Sequence, residues 1–375
     1  MMVDSLYAGG AERFLVGLAT HLPADRYDVT VCATRSHQGP LTSEVVDAGL
    51  RYVTLGRSGR YDLTPFTRLV SLLREERFDV LHAHKFGSNL WATIFGRLTR
   101  TPVVVAHEQT WSYEGNPVRK LLDGWVIGRF SDAHVAVSTR DRERMIELEH
   151  VPAAKTRFIP NAYIPSVGEV PDGDLRAELG IGPDAPVVGT LAVLRPQKAI
   201  DVLIDAFAIV GERIPEAQLV IGGYGPMLEA WQAHASELGL DGRVHWVGMR
   251  SDQQVVISGF DVATMSSDFE GTPLFALECL AAGAPMVATD VGGLRDIYDD
   301  DSSGLLVPPR DPGAMAAAIE SLLRDAERRR AMSTAARERL ADFTIERAVE
   351  RVEALYDELL TAKGLPGVAR AAVAA

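Results

Sequence analysis

Short apolar and β-branched runs alternate with longer amphipathic stretches along most of this 375-residue chain. This alternation constrains the fold more than any other feature, because strands separated by helices form β-α-β units and a parallel sheet. In the first half the predicted strands are residues 27–33, 51–55, 79–83, 102–106, 133–137 and 157–159, and predicted helices at 11–22 and 64–76 separate several of them. The first half is therefore expected to form one doubly wound domain.

A second series of the same kind follows residues 164–186, a segment rich in Pro, Gly and Asp that is typical of a linker with one short helix near 175–179. The later strands are predicted at 186–193, 217–221, 244–247, 262–265, 285–288 and 305–307, and the helices between them at 199–213, 227–238, 273–282 and 313–323. A chain of 375 residues also exceeds the usual length of one domain, about 100 to 200 residues. Two domains are therefore expected.

The predicted fold class is α/β, with two Rossmann-like doubly wound domains facing a cleft. The domains are expected at residues 1–165 and 166–342, followed by a helix at 343–362 that crosses back to the N-terminal domain and a flexible tail at 363–375. Residues 1–4 leave only a stub of a first strand, so either the true start lies upstream or this strand is short. The chemistry is expected where the carboxyl ends of the strands face the cleft.

The net charge of −13 disfavours nucleic-acid binding and is unevenly distributed. Residues 1–165 carry 20 Lys and Arg against 18 Asp and Glu, so the acidic excess lies in the second half. Two basic clusters in the first half suit a peripheral contact with an anionic lipid or polymer, although such runs are more often solvated surface. These clusters are Arg119 with Lys120, and Arg140 with Arg142 and Arg144.

No basic region followed by an apolar run opens the sequence, and the longest apolar run, residues 274–291, is interrupted by charged residues, Gly and Pro. A cytoplasmic location is therefore expected, with a peripheral position at the inner face of the cell membrane left open. Two cysteines, Cys32 and Cys279, are too few and too dispersed for a disulfide framework or a zinc site, and both are expected to be buried.

The segment 268–293, DFEGTPLFALECLAAGAPMVATDVGG, meets several requirements of diphosphate binding together. Thr272 is expected to cap a helix that has Pro273 in its first turn and ends at Gly283. The free N–H groups and positive dipole end of that helix suit a diphosphate, and Gly271 lets a ligand approach the backbone closely.

Glu278 lies in the second turn of this helix among apolar residues, and a buried carboxylate there needs a partner, for which a ribose diol is suitable. Glu270, just before the helix, would then face a sugar beyond the diphosphate. Taken alone, the two glutamates favour a simpler interpretation, in which Glu270 is a loop residue and Glu278 points to solvent from the helix. Their combination with Gly271, Pro273 and the strand that follows favours a ligand site.

This pattern, E-x7-E within EG-x-P-x3-LE-x2-AAG-x-P-x-V, resembles the retaining glycosyltransferases of the two-Rossmann (GT-B) architecture, family 4-like. The resemblance extends over almost the whole chain. The other matching segments are GGAE at 9–12, LHAH at 81–84, AHE at 106–108, AVS at 136–138, IPN at 159–161, RPQK at 195–198, GYGP at 223–226, and the turns at 291–293 and 304–307.

The resemblance implies that Glu270 contacts sugar hydroxyls and that Glu278 contacts the ribose. It places Lys198 on the donor phosphates, usually together with an Arg five residues earlier, where this chain has Val193. Arg195 is the candidate replacement for that missing charge. His107, at the predicted end of a strand, matches a histidine near the transferred sugar, although a structural histidine fits nearly as well.

The resemblance also assigns a donor role to glycines that end strands. The Gly9-Gly10 pair opens a helix near the reacting centre, and Gly223 and Gly225 form a glycine-rich turn, although such short patterns have a high false-positive rate and Tyr224 stands where the family has an acidic residue. The predicted catalytic residues are thus Glu270, Lys198, Arg195 and His107, and the predicted donor-binding residues are Gly9, Gly10, Gly271, Thr272, Leu274, Glu278, Gly223 and Gly225.

No metal and no cofactor are expected, because the acidic run at 299–301 fits a solvated turn better than a metal site. The implied partners are a nucleotide diphosphate sugar, UDP- or GDP-linked, and a hydroxyl of a glycan, a lipid-linked molecule or a small molecule, with loop 111–117 choosing the acceptor. The transferred group is expected to be a hexose or N-acetylhexosamine.

Two rival functions remain open at this point. A nucleotide-sugar epimerase or hydrolase would need acid/base groups near the anomeric carbon. A non-catalytic sugar-nucleotide-binding subunit is suggested by Val193 and the short first strand. A dehydrogenase is disfavoured, because neither half shows a strand, GxGxxG and helix with an acidic residue about 20 positions later.

Overall fold

The computed structural model describes residues 1–7, 9–36, 39–59, 62–109, 116–165, 172–298 and 301–367. The chain divides into two compact units, one formed by Met1–Ile164 with Thr344–Ala375 and the other by Pro165–Phe343. Each unit contains one parallel sheet with helices on both faces. The predicted α/β class with two Rossmann-like sheets is confirmed.

The first sheet has seven strands within the described residues, in the order β3-β2-β1-β4-β5-β6-β7. Its strands are β1 (Met2–Val3), β2 (Thr30–Ala33), β3 (Arg51–Thr54), β4 (Val80–His84), β5 (Val103–Glu108), β6 (Ala133–Ala136) and β7 (Thr156–Phe158). Its helices are α1 (Gly10–His21), α2 (Pro40–Asp47), α3 (Phe66–Glu76), α4 (Phe86–Thr99), α5 (Pro117–Leu121), α6 (Gly128–Phe130) and α7 (Thr139–Glu147). A π-helical turn, Leu122–Ile127, joins α5 to α6, and a 3₁₀ turn, Ala153–Lys155, precedes β7.

In the described part of the second unit, the sheet has six strands in the order β10-β9-β8-β11-β12-β13. Its strands are β8 (Val187–Leu191), β9 (Gln218–Gly222), β10 (Val244–Gly248), β11 (Val262–Met265), β12 (Met286–Thr289) and β13 (Gly304–Val307). Its helices are α8 (Leu175–Leu179), α9 (Ile200–Arg213), α10 (Leu228–Glu237), α11 (Gln253–Ser258), α12 (Leu274–Ala282), α13 (Leu294–Ile297), α14 (Pro312–Leu323) and α15 (Ala326–Arg339). Two 3₁₀ turns, Pro196–Lys198 and Leu340–Asp342, complete this unit.

The burial of the strands explains why they could be predicted from the sequence. A parallel sheet is covered on both faces, so its strands are nearly continuous apolar runs. Every residue of β5, β11 and β12 is buried. The helix α15 was not predicted, because it has arginines around much of its surface and buries only Met332 and Ala336 among its 14 residues.

The last helix, α16 (Ile345–Ala362), belongs to the first unit. Its apolar face, which includes Val352 and Leu355, packs in one core with Phe14 and Leu18 of α1. A buried hydrogen bond of 2.7 Å between Tyr356 Oη and His82 Nδ1 joins α16 to β4. The final helix therefore completes the core of the unit in which the chain begins.

None of the helices in the described ranges combines the length and apolarity that crossing a membrane requires.

Candidate active site

The strand order of the second unit creates a switch point between β8 and β11. From β8 the chain proceeds to β9 on one side, whereas β11 and β12 lie on the other side. In open parallel sheets the crevice at such a point, beyond the carboxyl ends of the strands, is where ligands bind. Lys198 follows β8 and Glu270 follows β11, so two predicted catalytic residues lie at this switch point.

Lys198 and Glu270 are in direct contact. The Lys198 ammonium donates a hydrogen bond of 2.5 Å to Glu270 Oε1, and Ser267 Oγ donates one of 2.6 Å to the same oxygen. The side chain of Glu270 is 7% exposed and that of Lys198 is 20% exposed. A carboxylate with little solvent access is thus held in one orientation beside a cation, with the ammonium still accessible to a ligand.

Hydrogen bonds from side chains to backbone carbonyls join the loops that carry Lys198 and Glu270. Gln197 Nε2 donates to Phe269 O at 2.9 Å, and Ser266 Oγ donates to Lys198 O at 2.9 Å. Gly292, after β12, has a φ of +50°, and a Cβ there would lie 1.7 Å from Glu270 O. Glycine is therefore required at position 292 for the loop of Glu270 to adopt this path.

The helix after Glu270 differs from the prediction at its first residue. It begins at Leu274 with Pro273 as the N-cap residue, so the prediction that Thr272 caps it with Pro273 in the first turn was wrong by one position. The physical reason is that Pro273 adopts an extended backbone conformation, with ψ at 128°. The predicted end is correct, because Gly283 closes the helix in the left-handed conformation. Gly271 and Thr272 are buried in the loop before it, and Leu274 is half-buried.

Glu278 is half-buried on α12, whereas its neighbours Leu277 and Cys279 are fully buried. The expectation of a buried carboxylate was therefore too strong. Because Glu278 is only partly desolvated, it needs a buried partner less than expected, and its exposed part is accessible to a ligand hydroxyl.

Arg195 lies on the same turn as Lys198 and is exposed, whereas Val193 is half-buried. Arg195 and Lys198 thus place two cationic side chains in the loop that follows β8. Gly223, after β9, has a φ of +126°, and a Cβ there would lie 1.7 Å from Ala192 O. A Cβ at Gly225 would lie 2.3 Å from Leu194 O, so both glycines are needed for packing against the loop that leads to Arg195 and Lys198.

Arg310, which was not predicted from the sequence, holds the loop after β11 through hydrogen bonds to acidic side chains. The Arg310 guanidinium, beyond β13, donates from Nε to Asp268 Oδ1 at 2.5 Å and from Nη1 to Asp201 Oδ2 at 2.9 Å. Arg310 is a non-glycine residue at a positive φ of 58°. No local sequence pattern predicts this role of Arg310, because Asp268 and Asp201 lie far from it in the chain.

The first unit has its own switch point, between β1 and β4. Gly9 is the N-cap residue of α1 and Gly10 is its first residue, and Glu12 follows in the first turn. The Lys85 ammonium, after β4, donates to Glu12 Oε1 at 2.8 Å, and Glu12 is 8% exposed against 41% for Lys85. Each unit thus has a lysine and glutamate pair at its switch point, and the sequence analysis missed this one.

Lys85 is also held in an unusual backbone conformation, with φ at 72° and ψ at 149°. Non-glycine residues in such conformations are costly and are concentrated at functional sites. The signals available in the sequence were the glutamate of GGAE and the position directly after LHAH.

His107 lies in a buried group of three histidines at the ends of β4 and β5. Its ring is stacked on those of His82 and His84, with centroids 5.3 and 4.7 Å away, and His82 Nε2 shares a hydrogen bond of 3.2 Å with His107 Nδ1. Burial lowers the pKa of His107 to about 3. The side chain is therefore neutral at physiological pH and is fully buried in this structure.

A second buried group lies beside it, formed by Glu108, Asp123 and His134. Burial raises the pKa of both carboxyl groups, and the Arg119 guanidinium opposes that rise. Arg119 Nη2 is 3.4 Å from Glu108 Oε1, and Arg119 Nε is 3.6 Å from Asp123 Oδ2. A cation of the chain itself already lies between these carboxylates. The prediction of no metal stays a prediction, and residues 299 and 300 of the acidic run lie outside the described residues.

Comparison with known proteins identifies the family. The family profile for glycosyl transferases group 1 matches residues 172–339, and that for Glycosyltransferase Family 4 matches residues 8–166. The chain belongs to the family 4-like glycosyltransferases. The D-inositol 3-phosphate glycosyltransferase of Corynebacterium jeikeium is 27% identical to it over 391 aligned residues, covering 94% of this chain and 92% of the relative.

Two further proteins are similar over nearly the whole glycosyltransferase. The UDP-Gal:alpha-D-GlcNAc-diphosphoundecaprenol alpha-1,3-galactosyltransferase of Escherichia coli is 25% identical, covering 94% of this chain and 95% of the relative. The crystal structure of Anabaena HepE in complex with UDP-glucose has a TM-score of 0.82 and 21% identity, covering 94% of this chain and 98% of that one. The structural similarity confirms the GT-B fold of this glycosyltransferase. Of the predicted acceptor loop, residues 111–115 lie outside the described residues.

Proposed function

We propose that this glycosyltransferase moves a hexose or N-acetylhexosamine from a UDP- or GDP-sugar to a hydroxyl group, with retention of the anomeric configuration and without a metal ion. The observation that carries this proposal is the contact between Lys198 and Glu270 at the switch point of the second unit, directly before the N-terminus of α12. It supplies a cation for a leaving diphosphate and a fixed carboxylate for sugar hydroxyls within one site.

The donor phosphates bind Lys198, Arg195 and the free N–H groups at the start of α12. The Lys198 ammonium has three protons, so it can keep its bond to Glu270 while it binds a phosphate oxygen. Glu278, one turn into α12 and half-buried, accepts hydrogen bonds from the ribose. Gly223, Gly225 and Gly292 keep this loop cluster compact, and Gly271 lets a ligand approach the backbone.

Catalysis is mainly electrostatic. As the bond to the anomeric carbon breaks, negative charge grows on the diphosphate, and Lys198, Arg195 and the helix N-terminus stabilise it. A diphosphate oxygen takes the proton of the incoming hydroxyl on the face from which the diphosphate leaves, so the configuration is retained. His107 is neutral and acts only as a hydrogen-bonding group, because its pKa of about 3 excludes a role as a general acid near neutral pH.

The acceptor binds the first unit at the switch point of β1 and β4, where Glu12 and Lys85 lie, and Gly9 and Gly10 beside them keep their predicted role toward the donor. The names of the relatives support an acceptor that carries phosphate, because one acts on an inositol phosphate and another on a diphosphate-linked lipid. The exposed ammonium of Lys85 suits such an anionic acceptor.

Donor screening tests the proposal. The melting temperature of the protein is expected to rise with UDP- or GDP-sugars and to stay unchanged with ADP-sugars or free hexose. The variant Lys198→Met should lose the rise, whereas Lys363→Met, which removes an equal charge paired with Asp132 in the first unit, should keep it. Stabilisation by none of these donors would overturn the proposal.

Product analysis separates the finer claims. The anomeric configuration, measured by NMR on the product, is expected to match that of the donor, and a chelator should leave the rate unchanged. Release of free or epimerised sugar without any acceptor would instead indicate a hydrolase or an epimerase.

A further inference from the structure

One continuous helical segment of the first unit has an apolar face directed to solvent. It consists of α5, the π-helical turn and α6, residues 117–130. Val118, Leu121, Trp125 and Phe130 on this segment are 64, 56, 58 and 53% exposed. Isolated exposed apolar side chains are normal, but here four follow one another at helical spacing, with the wider last step across the π-helical turn. We call these four residues the Trp125 patch.

The packing of the opposite face fixes this orientation. Asp123, Gly124, Ile127 and Gly128 are buried on the inner side of the segment. A Cβ at Gly124 would lie 1.8 Å from Glu149 O, and one at Gly128 would lie 2.9 Å from the methyl groups of Val151. The helix backbone is therefore pressed against residues 149–151 and cannot rotate to bury the Trp125 patch.

The end of α4 extends the same surface. Arg97 Nε donates a hydrogen bond of 2.5 Å to Phe130 O, which places the C-terminal turn of α4 beside Phe130. The next residue, Leu98, is 66% exposed. This turn thus adds a fifth apolar side chain next to the patch.

The exposed charges on the segment that carries the Trp125 patch are cationic. Lys120 and Arg129 are exposed on the segment, and the Arg129 guanidinium lies 5.5 Å from the centroid of the Trp125 ring. Arg100 is exposed at the end of α4. The only acidic residue of 116–130 is Asp123, which is buried. The surface thus combines aliphatic side chains, a tryptophan and cations, with no exposed carboxylate on the segment.

We propose that the Trp125 patch docks this protein on a bilayer surface that contains anionic lipids. Tryptophan is favoured at the boundary between headgroups and acyl chains, apolar side chains insert to a shallow depth, and each cation is attracted to an anionic leaflet. The segment lies on the membrane and does not span it. This inference does not depend on the proposed sugar transfer, because it concerns binding in the absence of any donor.

Vesicle flotation tests the inference, with phosphatidylcholine vesicles that contain or lack phosphatidylglycerol. The wild-type protein is expected to float with the anionic vesicles and to bind the neutral ones much less. The double variant Leu121→Ser/Trp125→Ser should weaken binding about tenfold or more, and Lys120→Glu/Arg129→Glu should abolish the preference for anionic lipid. Transfer to a water-soluble acceptor should be unchanged in both.

Matched controls make the result specific. Met249→Ser removes an apolar side chain that is 76% exposed in the second unit, and Arg330→Glu reverses an exposed charge there, so both should bind vesicles like the wild type. Wild-type protein that fails to float, or patch variants that float normally, would overturn the proposal. So would self-association without vesicle binding that is lost in Leu121→Ser/Trp125→Ser, because the patch would then be a protein interface.

Discussion

At the scale of single residues, Glu270 is the group whose surroundings most restrict its role. One of its oxygens accepts hydrogen bonds from Lys198 and Ser267, and its backbone is enclosed by Gly292. The contact of Glu270 with Lys198 was not predicted from the sequence. The family resemblance assigns Lys198 to the donor phosphates and Glu270 to the sugar hydroxyls, which are different parts of the donor. The structure makes them one unit, so a change in either should affect binding of both the sugar and the diphosphate.

Replacement of Glu270 by glutamine tests the need for its charge. Glu270→Gln keeps the shape and an oxygen that accepts from Ser267, so the free energy of unfolding should change by only about 1 kcal/mol. The turnover number with saturating donor should fall about a hundredfold or more, because the side chain no longer orients Lys198 and the sugar hydroxyls. Glu320→Gln, a surface carboxylate paired with Arg213, should retain full activity. Unchanged turnover in Glu270→Gln would remove this residue from the site.

Gly292 permits a paired experiment on the loop of Glu270. Gly292→Ala places a Cβ 1.7 Å from Glu270 O, whereas Gly242→Ala, at a φ of +80°, meets no atom within 4 Å. Both should lose about 1 kcal/mol of stability for the left-handed conformation, and Gly292→Ala should lose about 2 kcal/mol or more in total. Chemical denaturation and donor titration are the measurements. Equal effects in the two variants would show that Gly292 does not support the site.

At the scale of elements, the two switch points and the last helix organise the molecule. The switch points follow from strand order, which brings Glu12 to Lys85 in one unit and Lys198 to Glu270 in the other. Helix α16 follows the second unit in the chain, yet its apolar face is part of the core of the first unit. The stability of the first unit should therefore depend on residues near the end of the chain.

A pair of valines in the first unit measures this dependence. Val352 of α16 is fully buried, whereas Val46 of α2 is 56% exposed. Val352→Ala should lower the free energy of unfolding of the first unit by about 2 kcal/mol through lost burial and a residual cavity, and Val46→Ala should lower it by less than about 0.5 kcal/mol. Urea denaturation of both variants is the measurement, and equal losses would mean that α16 does not contribute to this core.

The sequence predicted most strands and the helix that follows Glu270, because buried parallel strands and helix ends are local patterns. The chemistry assigned to 268–293 stays a prediction. Prediction from the sequence failed for contacts and exposures that depend on tertiary structure. The contact of Glu12 with Lys85 depends on the adjacency of β1 and β4, and the exposure of Glu278 depends on what packs on α12. The cap of α12 moved by one residue because Pro273 took the extended conformation.

At the scale of the whole molecule, buried ionisable groups set the response to pH. Burial lowers the pKa of four fully buried histidines, His82, His84, His107 and His134, and also that of the partly buried His245. Their folded form binds fewer protons than the unfolded chain below about pH 6.5, so stability is lost as the pH falls through that value. Glu108 and Asp123 act in the opposite direction, because their pKa values are raised. The stability that they contribute to the folded protein is lost as the pH rises above the ordinary pKa of a carboxyl group, about 4. The four histidines outnumber the two acids, so stability should decrease on acidification.

His134 isolates one part of this response. Both of its ring nitrogens are buried without a hydrogen-bond partner, so His134→Leu removes a titrating group without breaking a hydrogen bond. The slope of unfolding free energy against pH, averaged between about pH 5 and about pH 6.5, should decrease by about 1 kcal/mol per pH unit. Denaturant titrations across that range provide the slope. An unchanged slope would show that His134 titrates normally in the folded protein.

Calorimetric titration of UDP and GDP into the wild-type protein and into Lys198→Met tests whether Lys198 and Glu270 form a diphosphate site. One of the two nucleotides is expected to bind the wild type at a single site, and the variant is expected to bind it about a hundredfold more weakly, because the diphosphate loses its principal cation. Failure of both nucleotides to bind, or equal affinity for Lys198→Met, would contradict a diphosphate site built around Lys198 and Glu270.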